Sequence, residues 1–489
     1  MHAWTLKLAL TVVIAAASLT GLLPDARASV ERGFSFGPEA VSPRESDKAA
    51  APSADEIYRR TQAVMAYYGV AAEPESQPVV DRMAGIQTEA GLRTMLEFLD
   101  AKSQFNRYFT LNSTSFVSAQ DRDSKKLVDF AAPLHASASA DDADRSFDST
   151  RLASLARSNP ADQPLKGLRI AIDPGHMGGD LWDERTGKFV IEHASGHKLS
   201  EGVMNLQTSM LLESRFKSLG ADVMLTHRGL GPVSEIPYEK IDVAAFAREE
   251  LRAVSLQDWF QNLLTSGPVG QALYAAFDSS SNRKKLFSES SRSTYFISRE
   301  DLEARARVVE AYDPDLTLII HYDTSDPPGD PNGTSPSTHN GTKAYVAGSF
   351  DSMEYAQRDD RLYFAKHALQ GSFWWQSARL GQSVVEQIRT QMGIPLDTTG
   401  AGVSKQVVPG VWSRNLALNR RIPGRVVSFI ECMYYNTTEF SALYRQTNPM
   451  TIDGRSLPYS NRLAQMAKSI GDGVLGYVAG LKQSSLRIP

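Results

Sequence analysis

The sequence lacks the features that mark several common classes of protein. With a single cysteine, Cys432, the chain of 489 residues can form no internal disulfide. Its 52 Lys and Arg residues face 56 Asp and Glu residues, which leaves a formal net charge of -4. The chain therefore has no excess of basic residues that would indicate nucleic acid or an anionic membrane surface as a partner. The ordinary hydrophobic fraction of 42% allows a sizeable core and two or three domains.

Long apolar runs are absent beyond the N-terminal segment. In that segment, Lys7 precedes an apolar run from Leu8 to Leu23, and the small residues Ala26 and Ala28 follow. This arrangement is typical of a secretory signal peptide, and we predict cleavage after Ala28. The run is short for a transmembrane helix of about 20 residues, although an uncleaved anchor is the alternative. We expect an exported protein of the periplasm or cell envelope, with no stable membrane insertion after cleavage.

Composition divides the rest of the chain into two linkers and two domains. Residues 29–54 and 131–163 are rich in Ala, Ser and acidic residues with little periodicity, which is typical of linkers. Residues 55–130 space their apolar groups at helical intervals and predict a small, mostly helical N-terminal domain. In residues 164–485, short apolar runs alternate with helical segments. This pattern predicts an α/β domain with a mostly parallel sheet flanked by helices.

Two insertions interrupt the α/β alternation. Residues 229–300 contain a helical portion at 242–264 and a polar portion after it, and residues 324–341 form a loop of Pro, Gly, Ser and Asn. Loops of this length are uncommon in compact domains and are often lids or binding loops. A surface insertion without function is the alternative.

Histidines and carboxylates follow the predicted strands of the α/β domain. His176 and His321 each come directly after a strand, and Glu431 follows a third. Ligand sites collect at the carboxyl ends of strands in open sheets, so we expect these side chains to lie together. Imidazole is the commonest zinc ligand in proteins, and a catalytic zinc has typically three protein ligands. Glu201, before the next helix, would complete the set, with Glu192 as a rival ligand.

Four motifs in residues 168–480 resemble those of the zinc-dependent N-acetylmuramoyl-L-alanine amidases, which are bacterial cell-wall hydrolases. Residues 173–179, Asp-Pro-Gly-His-Met-Gly-Gly, are similar to the family's first zinc-histidine motif, Asp-Pro-Gly-His-Gly-Gly. Glu201 precedes Asn205-Leu206 as the second ligand does in the family, which favours Glu201 over Glu192. Residues 318–321 resemble the strand that ends in the second histidine.

The fourth motif, at 428–436, resembles the strand that carries the family's catalytic glutamate, here Glu431. The resemblance implies a zinc ion held by His176, Glu201 and His321. It implies hydrolysis of the amide between N-acetylmuramic acid and L-alanine in peptidoglycan. It also places Arg414 near the substrate groove, where its guanidinium would bind a peptide carboxylate.

Two other functions are compatible with the same residues. A zinc peptidase or amidase would cleave within the peptidoglycan stem peptide, and a non-catalytic protein on the same fold would only bind the cell wall. The resemblance also implies regulation, because some family members carry a helix that covers the zinc until an activator protein withdraws it. The helical portion at 242–264 is the candidate for such a helix.

Overall fold

The structure is a computed structural model that describes parts of the chain between residues 95 and 482. It describes residues 95–100, 109–111, 115–118, 126–129, 150–192, 196–243, 292–325, 337–350, 363–364, 366–368, 371–400 and 404–482. The predicted signal peptide, the first linker and nearly all of the helical portion at 242–264 lie outside these residues and stay predictions. Within the described ranges, no helix is long and apolar enough to cross a bilayer.

The described strands belong to one large sheet and four small ones. They are β1 Phe109–Leu111, β2 Ser115–Ser118, β3 Lys126–Asp129, β4 Arg169–Pro174, β5 Phe189–Ile191, β6 Lys198–Ser200, β7 Asp222–Leu225, β8 Leu316–Asp323, β9 Lys343–Val346, β10 Lys405–Val408, β11 Val411–Ser413, β12 Val426–Tyr434, β13 Gln446–Asn448, β14 Thr451–Ile452, β15 Arg455–Ser456 and β16 Tyr459–Ser460.

The described helices range from one turn to about six turns. They are α1 Arg151–Ser158, α2 Asp180–Thr186, α3 Glu201–Ser218, α4 Arg292–Tyr295, α5 Asp301–Tyr312, α6 Gly371–Met392, α7 Ala417–Arg421, α8 Phe440–Tyr444 and α9 Asn461–Leu481. Side-chain caps fix three helix starts: Thr150, Ser200 and Ser460 accept from the backbone N–H three residues on. The last helix, α9, is amphipathic and buries one face.

The large sheet has the strand order β10-β11-β9-β12-β8-β4-β7. Strands β12, β8, β4 and β7 pair in parallel, whereas β9 pairs antiparallel with β12. The prediction of a mostly parallel sheet flanked by helices is therefore confirmed. The carboxyl ends of β4, β8 and β12 lie side by side, so residues that follow them meet at one edge.

Helices cover both faces of this sheet. On one face, α5 and α7 pack against a core of nine buried side chains: Ala171, Ala306, Val309, Ile319, Tyr345, Leu418, Ile422, Val427 and Phe429. On the other face, α3 and α6 pack against the strands, and α9 packs against α3 and α6. Covering both faces suits parallel strands, which are apolar on both sides. Nearly every residue of β4 and β8 is buried, as this arrangement requires.

The described part of the predicted N-terminal domain contains both helix and strand. Residues 95–99 are helical, and Met95 and Leu99 are buried. Strands β1, β2 and β3 form an antiparallel sheet. Their aromatic and β-branched residues favour extended structure, so the predicted helical character does not extend to these strands.

The chain divides into two compact units. The larger one contains the seven-stranded sheet and comprises residues 77–237, 296–351 and 360–489. The smaller comprises residues 1–76, 238–295 and 352–359. In the described part of the smaller unit, Arg292 donates to the Glu239 carbonyl at 2.6 Å, and the Tyr238 and Ser293 hydroxyls share a hydrogen bond of 2.6 Å.

Candidate metal centre

The three predicted ligands lie together at the edge of the sheet. His176 follows β4, His321 lies in β8, and Glu201 is the first residue of α3. Glu201 Oε1 lies 3.3 Å from His176 Nε2 and 3.1 Å from His321 Nδ1. One ligand atom from each residue falls within 4.8 Å of the others. Within the described residues, this metal-compatible cluster includes Glu201 and not Glu192.

A close backbone crossing brings Glu201 to the histidines. A Cβ on Gly202 would lie 2.2 Å from the Met177 carbonyl oxygen, and a Cβ on Gly178 would lie 2.6 Å from the Val203 nitrogen. Real Cβ atoms do not approach backbone so closely, so both positions require glycine. The crossing holds the start of α3 against the loop that carries His176. The glycines of the two motifs therefore set the distance between the first two ligands.

Arg305 stabilises the same loop through buried contacts with its carboxylate and carbonyl groups. Its buried guanidinium pairs with Asp301 at 2.7 Å and Asp173 at 3.2 Å, and it donates to the carbonyls of Pro174 at 2.5 Å and His176 at 3.1 Å. His176 adopts a left-handed backbone with φ of 59°, which is uncommon for a residue with a side chain. The guanidinium offsets that cost because it satisfies the carbonyls exposed by the turn.

Gly175 completes the loop beside the second histidine. Its N–H donates to the Ile320 carbonyl at 2.8 Å, and its carbonyl accepts from the Asn205 side chain at 2.7 Å. A Cβ at this position would lie 2.2 Å from His321 Nε2. The sequence Asp-Pro-Gly-His thus needs its glycine so that the two imidazoles can approach, with ring centroids 4.6 Å apart.

Electrostatics favour the protonation states that bind a metal. Burial lowers the pKa of His176 to about 4, although Glu201 acts in the opposite direction. Burial alone would raise the pKa of Glu201, but His176 and Lys188 hold it well below its usual range. At neutral pH the cluster therefore offers a neutral imidazole and an ionised carboxylate.

Glu431 lies beside this cluster in the sheet. In the register of β12, it is opposite His321 of β8 on one side and Lys343 of β9 on the other. Its Oε2 is buried and has no hydrogen-bond partner in the described residues. Burial, followed by the charges of Asp323 and Glu201, raises the pKa of Glu431 well above its usual range. An unpartnered carboxylate oxygen is costly, so a ligand is its natural partner.

A buried ionic network adjoins Glu431, and it was not predicted from the sequence. The Lys343 ammonium contacts Asp397 at 2.9 Å, Asp323 at 3.0 Å and the Tyr434 hydroxyl at 2.6 Å. Lys343 is only 1% exposed. The one feature of the local sequence that could have indicated the network is the lysine at the start of the apolar strand Lys-Ala-Tyr-Val. Its partners lie 20 to 91 residues away in sequence, so nothing local identified them.

One cation, Lys188, borders the cluster, and a second, Arg414, lies within electrostatic range of Lys188. The predicted substrate residue Arg414 follows β11, with its guanidinium 5.4 Å from the centre of the Tyr345 ring. Lys188 was not predicted. Its ammonium lies 3.8 Å from Glu201 Oε2, and its side chain is 46% exposed.

No protein-family model matches this chain, and no curated protein matches it either. Solved structures that resemble it include N-acetylmuramoyl-L-alanine amidases. The CwlD amidase from Clostridioides difficile, solved with the GerS lipoprotein, is 12% identical, with 64% of this chain and 100% of that one covered, at a TM-score of 0.34. Ami1 from Mycobacterium smegmatis is 12% identical, with 65% and 99% covered, at 0.34. AmiC2 of Nostoc punctiforme is 14% identical, with 64% and 98% covered, at 0.31.

These structures belong to the family that the sequence motifs resemble. At such identities and TM-scores, the assignment of chemistry depends on the site itself. Two imidazole nitrogens and one carboxylate oxygen are a donor set that catalytic zinc uses, with one position left open. The unpartnered oxygen of Glu431 lies beside that set. The residues present therefore fit a zinc ion.

Proposed function

We propose that this protein is an exported, zinc-dependent amidase that hydrolyses the bond between N-acetylmuramic acid and L-alanine in peptidoglycan. The observation that carries the proposal is the cluster of His176, Glu201 and His321, with Glu431 in register beside His321. The motif resemblance supplies the substrate class. A zinc ion bound by these residues would polarise the amide carbonyl and acidify a water molecule.

The residues of the site have separate roles in this proposal. His176, Glu201 and His321 hold the ion. Glu431 accepts the proton of the attacking water and passes it to the nitrogen of the leaving L-alanine, which breaks the C–N bond. Glu431 would act in its ionised form, which a general base requires and which the charge of a bound divalent cation would favour. Arg305 positions the loop of His176 and does not touch substrate.

The first experiment is digestion of purified peptidoglycan by the protein comprising residues 29–489. We expect free stem peptides that begin with L-alanine, which mass spectrometry would identify by their new N-terminus. A chelator should abolish their release, and added zinc should restore it. Zinc-dependent cuts within the stem peptide would instead show a peptidase, and the absence of any product would indicate a wall-binding or inhibited protein.

The proposal includes regulation by an activator protein that acts on the insertion at 229–300. The basis is the helix predicted at 242–264 from the sequence, together with the family resemblance. Deleting residues 244–264 should raise basal amidase activity if this helix covers the zinc site. Far-UV circular dichroism would check that the shortened protein is folded. Unchanged activity in a folded deletion variant would remove the inhibitory role.

A further inference from the structure

The loop between the first two ligands carries a cation into the site. Lys188 follows α2, and its ammonium is the group 3.8 Å from Glu201 Oε2. The charge of Glu201 raises the pKa of Lys188, burial opposes this, and Glu431 and Asp323 act in the same direction as Glu201. The ammonium therefore stands within electrostatic range of a ligand and of the proposed general base.

The backbone of Lys188 is fixed relative to the ligands. Its carbonyl accepts from the N–H of Glu201 at 3.0 Å. The helix before it ends at Gly187, which has a left-handed backbone with φ of 68°. The turn at Gly187 thus sets the direction in which the chain leaves the helix, and the hydrogen bond to Glu201 fixes the backbone of Lys188 next to the second ligand.

The rest of the loop is braced by ionic contacts. Buried Asp183 of α2 accepts from the Ser200 hydroxyl at 2.6 Å and from the Lys198 ammonium at 2.8 Å. These contacts tie α2 to β6 and to the start of α3. The described part of the segment between His176 and Glu201 is therefore fixed by contacts on both sides of Lys188.

The end of the Lys188 side chain, in contrast, is free to bind a ligand. Its side chain is 46% exposed, and no described side chain accepts a hydrogen bond from its ammonium. The contact with Glu201 is long, and Glu201 already faces both histidines. An ammonium with three donors that is held at the rim of a site is suited to an anionic group.

We propose that Lys188 binds a carboxylate of the peptidoglycan stem peptide, namely the α-carboxylate of the second residue. This inference rests on the proposed function. An extended residue spans about 3.3–3.6 Å, so a group that contacts Lys188 lies within one or two residues of the amide at the ligand cluster. The first residue, L-alanine, has no free carboxylate because its carboxyl group is in a peptide bond. The acidic second residue supplies one.

The test compares two probes that differ only at this carboxyl group. They are N-acetylmuramoyl-L-alanyl-D-glutamate and its α-amide counterpart, N-acetylmuramoyl-L-alanyl-D-isoglutamine. Calorimetric titration into zinc-loaded Glu431→Gln protein measures binding with turnover suppressed. We expect the acid to bind about 10–100-fold more tightly than the amide, because a hydrogen bond between charged groups is worth that ratio.

In the Lys188→Met variant of the same protein this preference should disappear, and Lys188→Arg should restore most of it. Lys217→Met is the matched control, since Lys217 lies on α3 roughly 24 Å from Glu201 along the helix axis, and it should keep the full preference. A preference that survives Lys188→Met would overturn the inference. Binding of neither probe to the parent protein would contradict the proposed function itself.

Discussion

Replacing Glu431 by glutamine should reduce amide hydrolysis by about 10²–10⁴-fold, which is the range that a positioned acid–base group contributes. Glutamine has nearly the same shape but cannot accept the proton of the attacking water. Zinc content should stay unchanged, because Glu431 is not among the three clustered ligands. Release of peptides from peptidoglycan measures the first quantity, and elemental analysis of the purified variant measures the second.

The control for this change is Glu386→Gln, which removes a partly exposed carboxylate of α6 that pairs with Arg389 at 2.7 Å. It should leave both activity and zinc content as they are in the parent protein. Near-normal turnover in Glu431→Gln would exclude the role of general base. A joint loss of zinc and activity would instead make Glu431 part of the metal-binding set.

Replacing Arg305 by methionine should lower the free energy of unfolding by about 3–5 kcal/mol, the usual effect of breaking a buried ionic contact. The change leaves Asp173 and Asp301 buried without their shared cation, and it removes one donor from each of the carbonyls of Pro174 and His176. Zinc affinity should also fall, since the loop of His176 loses its support. Urea unfolding of the metal-free protein isolates the effect on stability.

Arg307→Met is the matched control, two residues along the same helix. The Arg307 side chain is 61% exposed and lies 3.6 Å from Glu300. Surface substitutions of this kind change stability by about 0.5 kcal/mol or less. If Arg305→Met were as mild as Arg307→Met, Arg305 would not be the residue that holds the loop.

The parts of the site that could be predicted lie at strand ends. His176, His321 and Glu431 each follow or end a short apolar run, and parallel strands bring such ends to one edge. The topology alone therefore placed them together. The strand topology does not place Glu201, because its position depends on the backbone crossing at two glycines, Gly178 and Gly202. The resemblance to a family motif, and not the periodicity, favoured Glu201 over Glu192.

The parts that could not be predicted depend on contacts between distant segments. Lys343 and Asp397 are 54 residues apart, and nothing in either local sequence indicates that they meet in a buried network. Lys188 lies in a segment without a motif, and only the path of the backbone brings it to Glu201. Side chains of this kind are selected by tertiary packing, for which a single sequence carries no periodic signal.

The glycine crossing has a consequence for how this protein can vary. The chain leaves the first histidine and returns to the glutamate at nearly the same point, because Met177 and Gly178 contact Gly202 and Val203. The helix and hairpin between them form an excursion that is closed at its base. We expect its outer residues to vary without displacing the ligands, as for loops whose ends are anchored in a rigid scaffold, as long as the contacts of Lys188 and Asp183 with the start of α3 are kept. Substrate preference is thus separable from the chemistry, and exchanging this excursion is a route to new specificity on an unaltered metal centre.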